Sequence, residues 1–114
     1  MTDRIYHLAR KADFTLAAPL GRYSGSDADR ADGFLHFSTA SQIRESAAKH
    51  RAGEADLILI EADATRLGES LRWETSRGGQ QFPHLYGALP MDAITRTADL
   101  PLDAAGQHQF PEWL

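Results

Sequence analysis

The sequence predicts one α+β domain, residues 1–114, with a strongly bent, mostly antiparallel sheet and two main helices. The length of 114 residues is that of a single domain. Five or six segments have the pattern of strands, whereas two have the pattern of helices. Because these segments are unevenly spaced and do not alternate, they do not fit a doubly wound α/β fold.

The composition is that of a soluble globular protein, with 42% hydrophobic and 25% charged residues. No apolar run approaches the ~18 residues that cross a bilayer, so we expect no membrane association. The 12 basic and 16 acidic residues give a net charge of −4, which argues against nucleic acid as the main partner. The absence of cysteine excludes disulfides and thiolate zinc sites. The N-terminus does not resemble a secretory signal, so we expect a cytoplasmic protein.

In the first third of the chain, the sequence predicts a strand, a short helix and a loop. Residues 5–8 form the strand, and residues 12–18 form a helix that Pro19 and Gly21 end. Residues 23–33 are rich in serine, glycine and aspartate, which favours a surface loop. A loop of this length in a small domain often carries function.

Residues 34–38 form the next predicted strand, and His36 is its most informative residue. Alternation along the strand places Leu35 and Phe37 on one face. The opposite face carries Phe34, His36 and Ser38. An imidazole in this position is either a core histidine satisfied by a backbone carbonyl, or a functional group presented beside a hydroxyl.

A capping box predicts the second main helix. Thr39 is the expected N-cap, and Gln42 follows three residues later. The helix is expected to run to about Arg51 and to stop at Gly53. One of Ser38 and Thr39 is expected to cap the helix, which leaves the other for a phosphate or carboxylate ligand at the helix N-terminus.

Two strands follow in the middle of the chain. Residues 57–60 are continuously apolar, and residues 57–61 are predicted as a central strand covered on both faces. Residues 71–75 predict another strand, with Leu71 and Trp73 facing inward. Its opposite face carries Arg72 and Glu74. These two side chains either form a solvated ion pair or belong to a site.

The segment 82–87 combines two large aromatic residues with a proline, a histidine and a glycine. Pro83 places its start at a sheet edge or just before pairing begins. If the segment is extended, His84 and Tyr86 point the same way, as a surface for stacking a nucleobase or nicotinamide ring. The alternative is a packed corner with Tyr86 bonded to backbone. A last strand over residues 93–98 and an irregular tail pinned by Phe110 and Trp113 complete the chain.

Four polar residues lie in or beside predicted strands that are otherwise built for burial: His7, His36, Glu74 and His84. A buried polar group must find a partner or costs about 1–3 kcal/mol, so a sheet with several of them usually lines a cleft. The chain has no dinucleotide fingerprint, P-loop, nucleophile elbow or short-range pair of metal ligands. A zinc site built from His7, His36 and His84 would need three distant strands to converge, and we expect no metal.

Four motifs in order resemble the bacterial family known as domain of unknown function 952. They are Ile5-Tyr6-His7, the segment 33–39, Leu71-Arg72-Trp73-Glu74, and the segment 82–90. The family is similar in fold to ADP-ribosyltransferases and tRNA 2′-phosphotransferases. The resemblance therefore implies an ADP-ribosyltransferase-like split, bent sheet around a cleft for NAD.

The resemblance also implies roles for individual residues. His7 looks like the first-strand residue that holds the ribose of the cofactor, and Ser38 with Thr39 looks like the second motif, which lines the nicotinamide pocket. Glu74 is the candidate for the later glutamate, although His84 could stand in its place. His36 has no counterpart in the transferases, and no unambiguous final glutamate motif is present.

These observations lead to a low-molecular-weight nucleotide or phosphorylated compound as the partner. The first hypothesis is an NAD- or ADP-ribose-binding enzyme that transfers a glycosyl, ADP-ribosyl or phosphoryl group at a ribose. Glu74, His36 and His84 would be catalytic, and His7, Ser38, Thr39 and Tyr86 would bind the cofactor. The alternatives are a binding or regulatory module without catalysis on the same scaffold, and a histidine–metal hydrolase.

Overall fold

The computed structural model describes residues 3–114, and at residue 77 its backbone only. Its α-helices are α1 (Lys11–Ala17), α2 (Asp27–Asp32) and α3 (Ile43–His50). Its strands are β1 (Arg4–Arg10), β2 (Arg22–Tyr23), β3 (Leu35–His36), β4 (Leu57–Asp63), β5 (Leu71–Thr75), β6 (Gln81–Leu85), β7 (Leu89–Pro90) and β8 (Ile94–Leu100). Within these residues, no helix is long and apolar enough to cross a membrane.

The strands form three antiparallel sheets, so the α+β class is confirmed. The first sheet has the order β1-β4-β8, the second has the order β3-β6-β5, and β2 pairs with β7. Residues 57–61 lie in the central strand β4, as predicted, and are buried throughout. A backbone bridge between Tyr6 and Ser38 connects β1 to the chain just after β3, at 2.8 Å for each of its two hydrogen bonds.

Alternation along β1 and β4 divides the core into two clusters. One face of β1 contributes Ile5 and Ala9 to a cluster that also contains Leu35, Phe37 and Ile60. The other face contributes Tyr6 and Leu8 to a cluster that contains Leu57, Leu59 and Ile43 of α3. The C-terminal tail packs on this second cluster through Phe110, Trp113 and Leu114, which confirms that Phe110 and Trp113 pin it.

The predicted loop over residues 23–33 is wrong, because it contains helix α2. The Ser26 hydroxyl accepts from the Asp29 amide at 3.3 Å, and Asp29 Oδ2 accepts from the Ser26 amide at 2.8 Å. This reciprocal capping box starts the helix, and Gly33, at φ +86°, ends it. The capping box at the start and the glycine at the end thus define a helix in a segment that has no apolar periodicity.

Helix α3 begins at Ile43, later than predicted from the capping box at Thr39. Half of that box is present, since the Thr39 amide donates to Gln42 Oε1 at 3.0 Å. The Thr39 hydroxyl instead contacts the Ser41 hydroxyl at 3.1 Å, so it does not cap the helix. Residues 39–42 form turns that precede the helix.

Two predictions about the second sheet need correction. The prediction that Trp73 faces inward is wrong, because β5 lies at the edge of the sheet and leaves this residue 40% exposed. Pro83 does not lie at an edge, because β6 is the central strand and Pro83 pairs with Trp73 of β5. Toward β3 it does stand just before pairing begins, at residues 84–85, which was the other predicted position. The proline is tolerated there because the hydrogen bond toward β3 uses its carbonyl and not an N–H group. This carbonyl accepts from the Phe37 amide at 3.0 Å.

Candidate functional site

A cavity of about 540 Å³ lies between the first sheet, the second sheet, α2 and α3. Four of the residues singled out in the sequence line it: His7, His36, Ser38 and His84. Its volume lies in the range of sites for small ligands and cofactors. Residues that are 77 positions apart in the chain, such as His7 and His84, are therefore brought to one site.

The imidazole of His36 is held by two carboxylates. Its Nδ1 lies 2.5 Å from Asp29 Oδ1, and its Nε2 lies 2.9 Å from Asp32 Oδ2. These contacts favour the doubly protonated ring, since both nitrogens then donate. The hydrogen bond that His36 donates to Asp29 is the largest influence that raises the pKa of His36, and it outweighs the effect of burial. His36 is thus an imidazolium with a side chain that is 42% exposed.

The carboxylate of Asp29 is almost fully buried and fully hydrogen-bonded. Its Oδ1 accepts from the amide and Nδ1 of His36, and its Oδ2 accepts from the amide and hydroxyl of Ser26. Burial alone would raise the pKa of Asp29, but the hydrogen bonds from His36 and Ser26 lower it well below its usual range. Asp29 is therefore the fixed anion that orients His36.

The side chain of His7 is buried, with 2% of its surface exposed, and both ring nitrogens have protein partners. Its Nδ1 lies 2.6 Å from the His36 carbonyl oxygen, so this nitrogen carries the proton. The Tyr23 hydroxyl, 3.0 Å from Nε2, then donates to that nitrogen. Burial lowers the pKa of His7, which keeps the ring neutral. In this state His7 presents to the cavity its ring surface and not a free nitrogen.

His84 is supported by a second carboxylate. Its Nδ1 lies 2.8 Å from Glu74 Oε1, and the Tyr86 hydroxyl donates to the same oxygen at 2.7 Å. The ring of Phe34 stacks on His84, with centroids 4.1 Å apart and planes 24° apart. Among the described residues, Nε2 of His84 has no hydrogen-bond partner. The contact with Glu74 fixes the direction of the ring through Nδ1, so Nε2 is the ring nitrogen left over for a ligand.

His36 and His84 are direct partners across the antiparallel pair of β3 and β6. Their ring centroids are 5.9 Å apart, and the planes are nearly perpendicular. The site therefore contains one imidazole whose two nitrogens both contact carboxylates and one whose Nε2 has no partner among the described residues. The common direction predicted for His84 and Tyr86 is also present, because both contact one oxygen of Glu74.

The remaining predicted site residues occupy different positions. The Ser38 hydroxyl lines the cavity and contacts the Ser46 hydroxyl at 2.8 Å. Glu74, Thr39 and Tyr86 belong to the described residues but not to those that line the cavity. Glu74 thus reaches the site through His84, and its pKa is lowered by hydrogen bonds from Tyr86 and then His84.

Sequence reasoning missed Tyr23, Asp29 and Asp32, because all three fell in the predicted loop. The signal that could have found Asp29 is its spacing of three residues from Ser26, which is that of a capping box. Over residues 3–114, no three histidine or acidic side chains are grouped so that they could share a metal ion. The geometry therefore adds no support to the histidine–metal alternative.

The model of the family described as Protein of unknown function (DUF952) matches residues 8–97, so the chain belongs to this family. The X-ray crystal structure of the Caulobacter crescentus protein CC0527 is similar, with 48% sequence identity, 93% of each chain covered and a TM-score of 0.89. The solution NMR structure of CC0527 is 46% identical, covers 99% of this chain and 97% of that chain, and has a TM-score of 0.85. A search of curated proteins gave no match.

These comparisons confirm the family that the four sequence motifs indicated. They do not extend to an ADP-ribosyltransferase-like fold or to an NAD site. The established description of the molecule is an α+β protein of this family, with antiparallel sheets and a cavity that two carboxylate-supported histidines share.

Proposed function

We propose that the protein binds a small nucleotide of the NAD or ADP-ribose type in the cavity and catalyses transfer at its ribose. The observation that carries this proposal is the pair of histidines with different roles in one cavity. His36 donates from both ring nitrogens to carboxylates, whereas His84 is held through Nδ1 alone and has no partner for Nε2 among the described residues. Such a pair fits general acid–base chemistry, which works best with groups that titrate near neutral pH.

In the proposed reaction, His84 Nε2 takes the proton from an acceptor hydroxyl or a water molecule that attacks the anomeric carbon. The bond from that carbon to the leaving base breaks, and the base departs with the electron pair. The transition state is cationic at the sugar, which an adjacent carboxylate stabilises. Asp32, exposed and bound to Nε2 of His36, is the carboxylate at the cavity that meets this need.

His36 and Glu74 have supporting roles in this proposal. The imidazolium of His36 donates to an oxygen of the ligand when Asp32 releases its Nε2, and Asp29 keeps the ring in place. Glu74 is a positioning residue, because its carboxylate fixes the tautomer and direction of His84. This assignment replaces a direct role for Glu74 at the sugar, since Glu74 contacts His84 and Tyr86.

Titration calorimetry with NAD and ADP-ribose, followed by an assay for released nicotinamide, tests the proposal. We expect binding and slow release, with release lost in His84→Asn and binding retained. His108→Asn is the matched control, since His108 lies outside the cavity and contacts the Glu54 carbonyl. A protein that shows neither binding nor release at millimolar ligand would refute the proposal.

A binding module without catalysis is the second candidate. The observation that favours it is the engagement of Glu74 by two hydrogen-bond donors, which leaves the second sheet without a free glutamate at the cavity. This candidate predicts binding of the same ligands with no nicotinamide release by the wild type. Release that depends on His84 would exclude it.

A further inference from the structure

The cavity also contains a pair of arginines that the acid–base arrangement does not use. Arg10 ends β1, Arg51 follows α3, and both line the cavity together with Glu54. Arg10 Nε donates to Glu54 Oε2 at 3.2 Å, and Arg51 Nη1 donates to the same oxygen at 3.3 Å. Because one carboxylate oxygen contacts both guanidinium groups, the two groups lie side by side.

This arrangement retains positive charge and unused donors. Two guanidinium groups share one carboxylate, so the three side chains carry a net positive charge. A guanidinium has five N–H donors on three nitrogens, and each arginine uses one nitrogen here. Among the described residues, Nη1 and Nη2 of Arg10 and Nε and Nη2 of Arg51 have no hydrogen-bond partner.

The charge of Arg51 acts at the histidine end of the cavity, since it adds to burial in lowering the pKa of His7. Its side chain is only 17% exposed, and it belongs to the same cavity lining as His7 and His36. The C-terminal end of a helix is electronegative, so a site for an anion beside the end of α3 must draw its positive charge from side chains. Arg10 and Arg51 supply that charge.

We propose that Arg10 and Arg51 bind the phosphoryl or pyrophosphoryl group of the ligand, with its sugar placed toward His36 and His84. Planar guanidinium groups match the oxygens of phosphate in paired hydrogen bonds. Glu54 is a positioning residue that holds the two groups together. The inference rests on the proposed function only in placing the sugar, because anion binding by the arginines is a property of the chain by itself.

Titration calorimetry with sodium pyrophosphate and with ADP-ribose tests the inference. We expect the wild type to bind both in competition, and Arg10→Gln or Arg51→Gln to weaken both by about tenfold or more, as loss of a charge-assisted hydrogen bond would. Arg66→Gln is the matched control, because Arg66 is an exposed arginine outside the cavity lining and pairs with Asp63. Thermal melting shows whether each variant is folded, and the exposed Arg10 makes its variant the safer one.

The outcomes separate this inference from the proposed function. If pyrophosphate does not bind the wild type, or binds both cavity variants as tightly as the control, the arginine subsite is refuted, whatever NAD does. If pyrophosphate binding depends on Arg10 and Arg51 while NAD and ADP-ribose do not bind, the subsite stands and the nucleotide proposal fails. If NAD binds the wild type and both arginine variants with equal affinity, the nucleotide proposal stands and the arginine subsite is refuted.

Discussion

Asp29 and His36 are joined by two hydrogen bonds to a single oxygen, since Asp29 Oδ1 accepts from both the amide and Nδ1 of His36. The same carboxylate caps α2 through Ser26. The short helix and the candidate catalytic imidazole therefore share one anion. A change that moves Asp29 is expected to affect the start of α2 and the charge of His36 together.

Gly25 provides a test of this coupling. A Cβ at Gly25 would lie 2.8 Å from Asp29 Cβ and 2.9 Å from Asp29 Oδ2, whereas a Cβ at Gly33 would meet nothing within 4 Å. Both glycines have positive φ, so Gly25→Ala and Gly33→Ala each lose roughly 1–2 kcal/mol from backbone strain. Only Gly25→Ala should displace Asp29 and lower the pKa of His36, measured by NMR titration. Equal titrations of the two variants would contradict the shared anion.

The pH dependence of stability should contain a distinct contribution from His36. Its folded-state pKa is raised above 6.5, so its stabilising effect is complete below pH 6.5 and is lost as pH rises through the folded value. His7 acts oppositely, because its pKa is lowered and its contribution is lost as pH falls below 6.5.

The difference between wild type and His36→Gln separates these two effects. Urea unfolding at a series of pH values should show that this difference shrinks as the pH rises above 6.5 and through the raised pKa of His36. Asp29→Asn should abolish the trend, because the hydrogen bond that His36 donates to the Asp29 carboxylate is its main cause. A difference that grows with pH would mean that His36 is neutral in the folded protein.

Tyr23→Phe is expected to destabilise the protein by about 1–3 kcal/mol, because it leaves Nε2 of His7 as a buried acceptor without a donor. Tyr86→Phe is the matched control, since the Tyr86 hydroxyl is exposed and its loss should cost about 0.5 kcal/mol or less. Urea unfolding measures both. Equal losses for the two variants would argue that Tyr23 and His7 are not bonded as described.

The C-terminal tail is expected to contribute measurably to stability through Trp113. The Arg96 guanidinium lies 3.8 Å from the centroid of this ring, and the ring packs on the second core cluster. Trp113→Ala should therefore lose about 1–2 kcal/mol, and Trp73→Ala, at the exposed edge of the second sheet, should lose less. Urea unfolding followed by circular dichroism compares the two, and the reverse order would contradict the packing.

Much of the sheet could be predicted from the sequence, because its strands carry local signals. The apolar run at residues 57–60 predicts a strand covered on both faces, and β4 has that position. Helix α2 could not be predicted from periodicity, since it consists of aspartates, alanines and one arginine. The sequence signal for this helix is the pair of capping residues, Ser26 and Gly33. Serine and glycine are also typical of loops, so the segment is predicted as one.

The candidate site could be predicted as a set of residue types but not as an arrangement. The alternation of residues 34–38 puts His36 on the polar face of its strand, yet only the register of β3 with β6 makes His84 its neighbour. That register depends on the pairing of Leu35 with Leu85, which is a long-range contact. The supporting roles of Asp29 and Glu74 follow from the same tertiary packing.

The bridge between Tyr6 and Ser38 has a consequence for recognition. Its two backbone hydrogen bonds connect β1 to the segment that follows β3. Widening the space between these two parts of the chain would break both bonds. These bonds hold this side of the cavity in one shape, so the nucleotide binding proposed above should cost little ordering entropy there. Compounds should be selected by how well they match a fixed outline, with rigid analogues favoured over flexible ones.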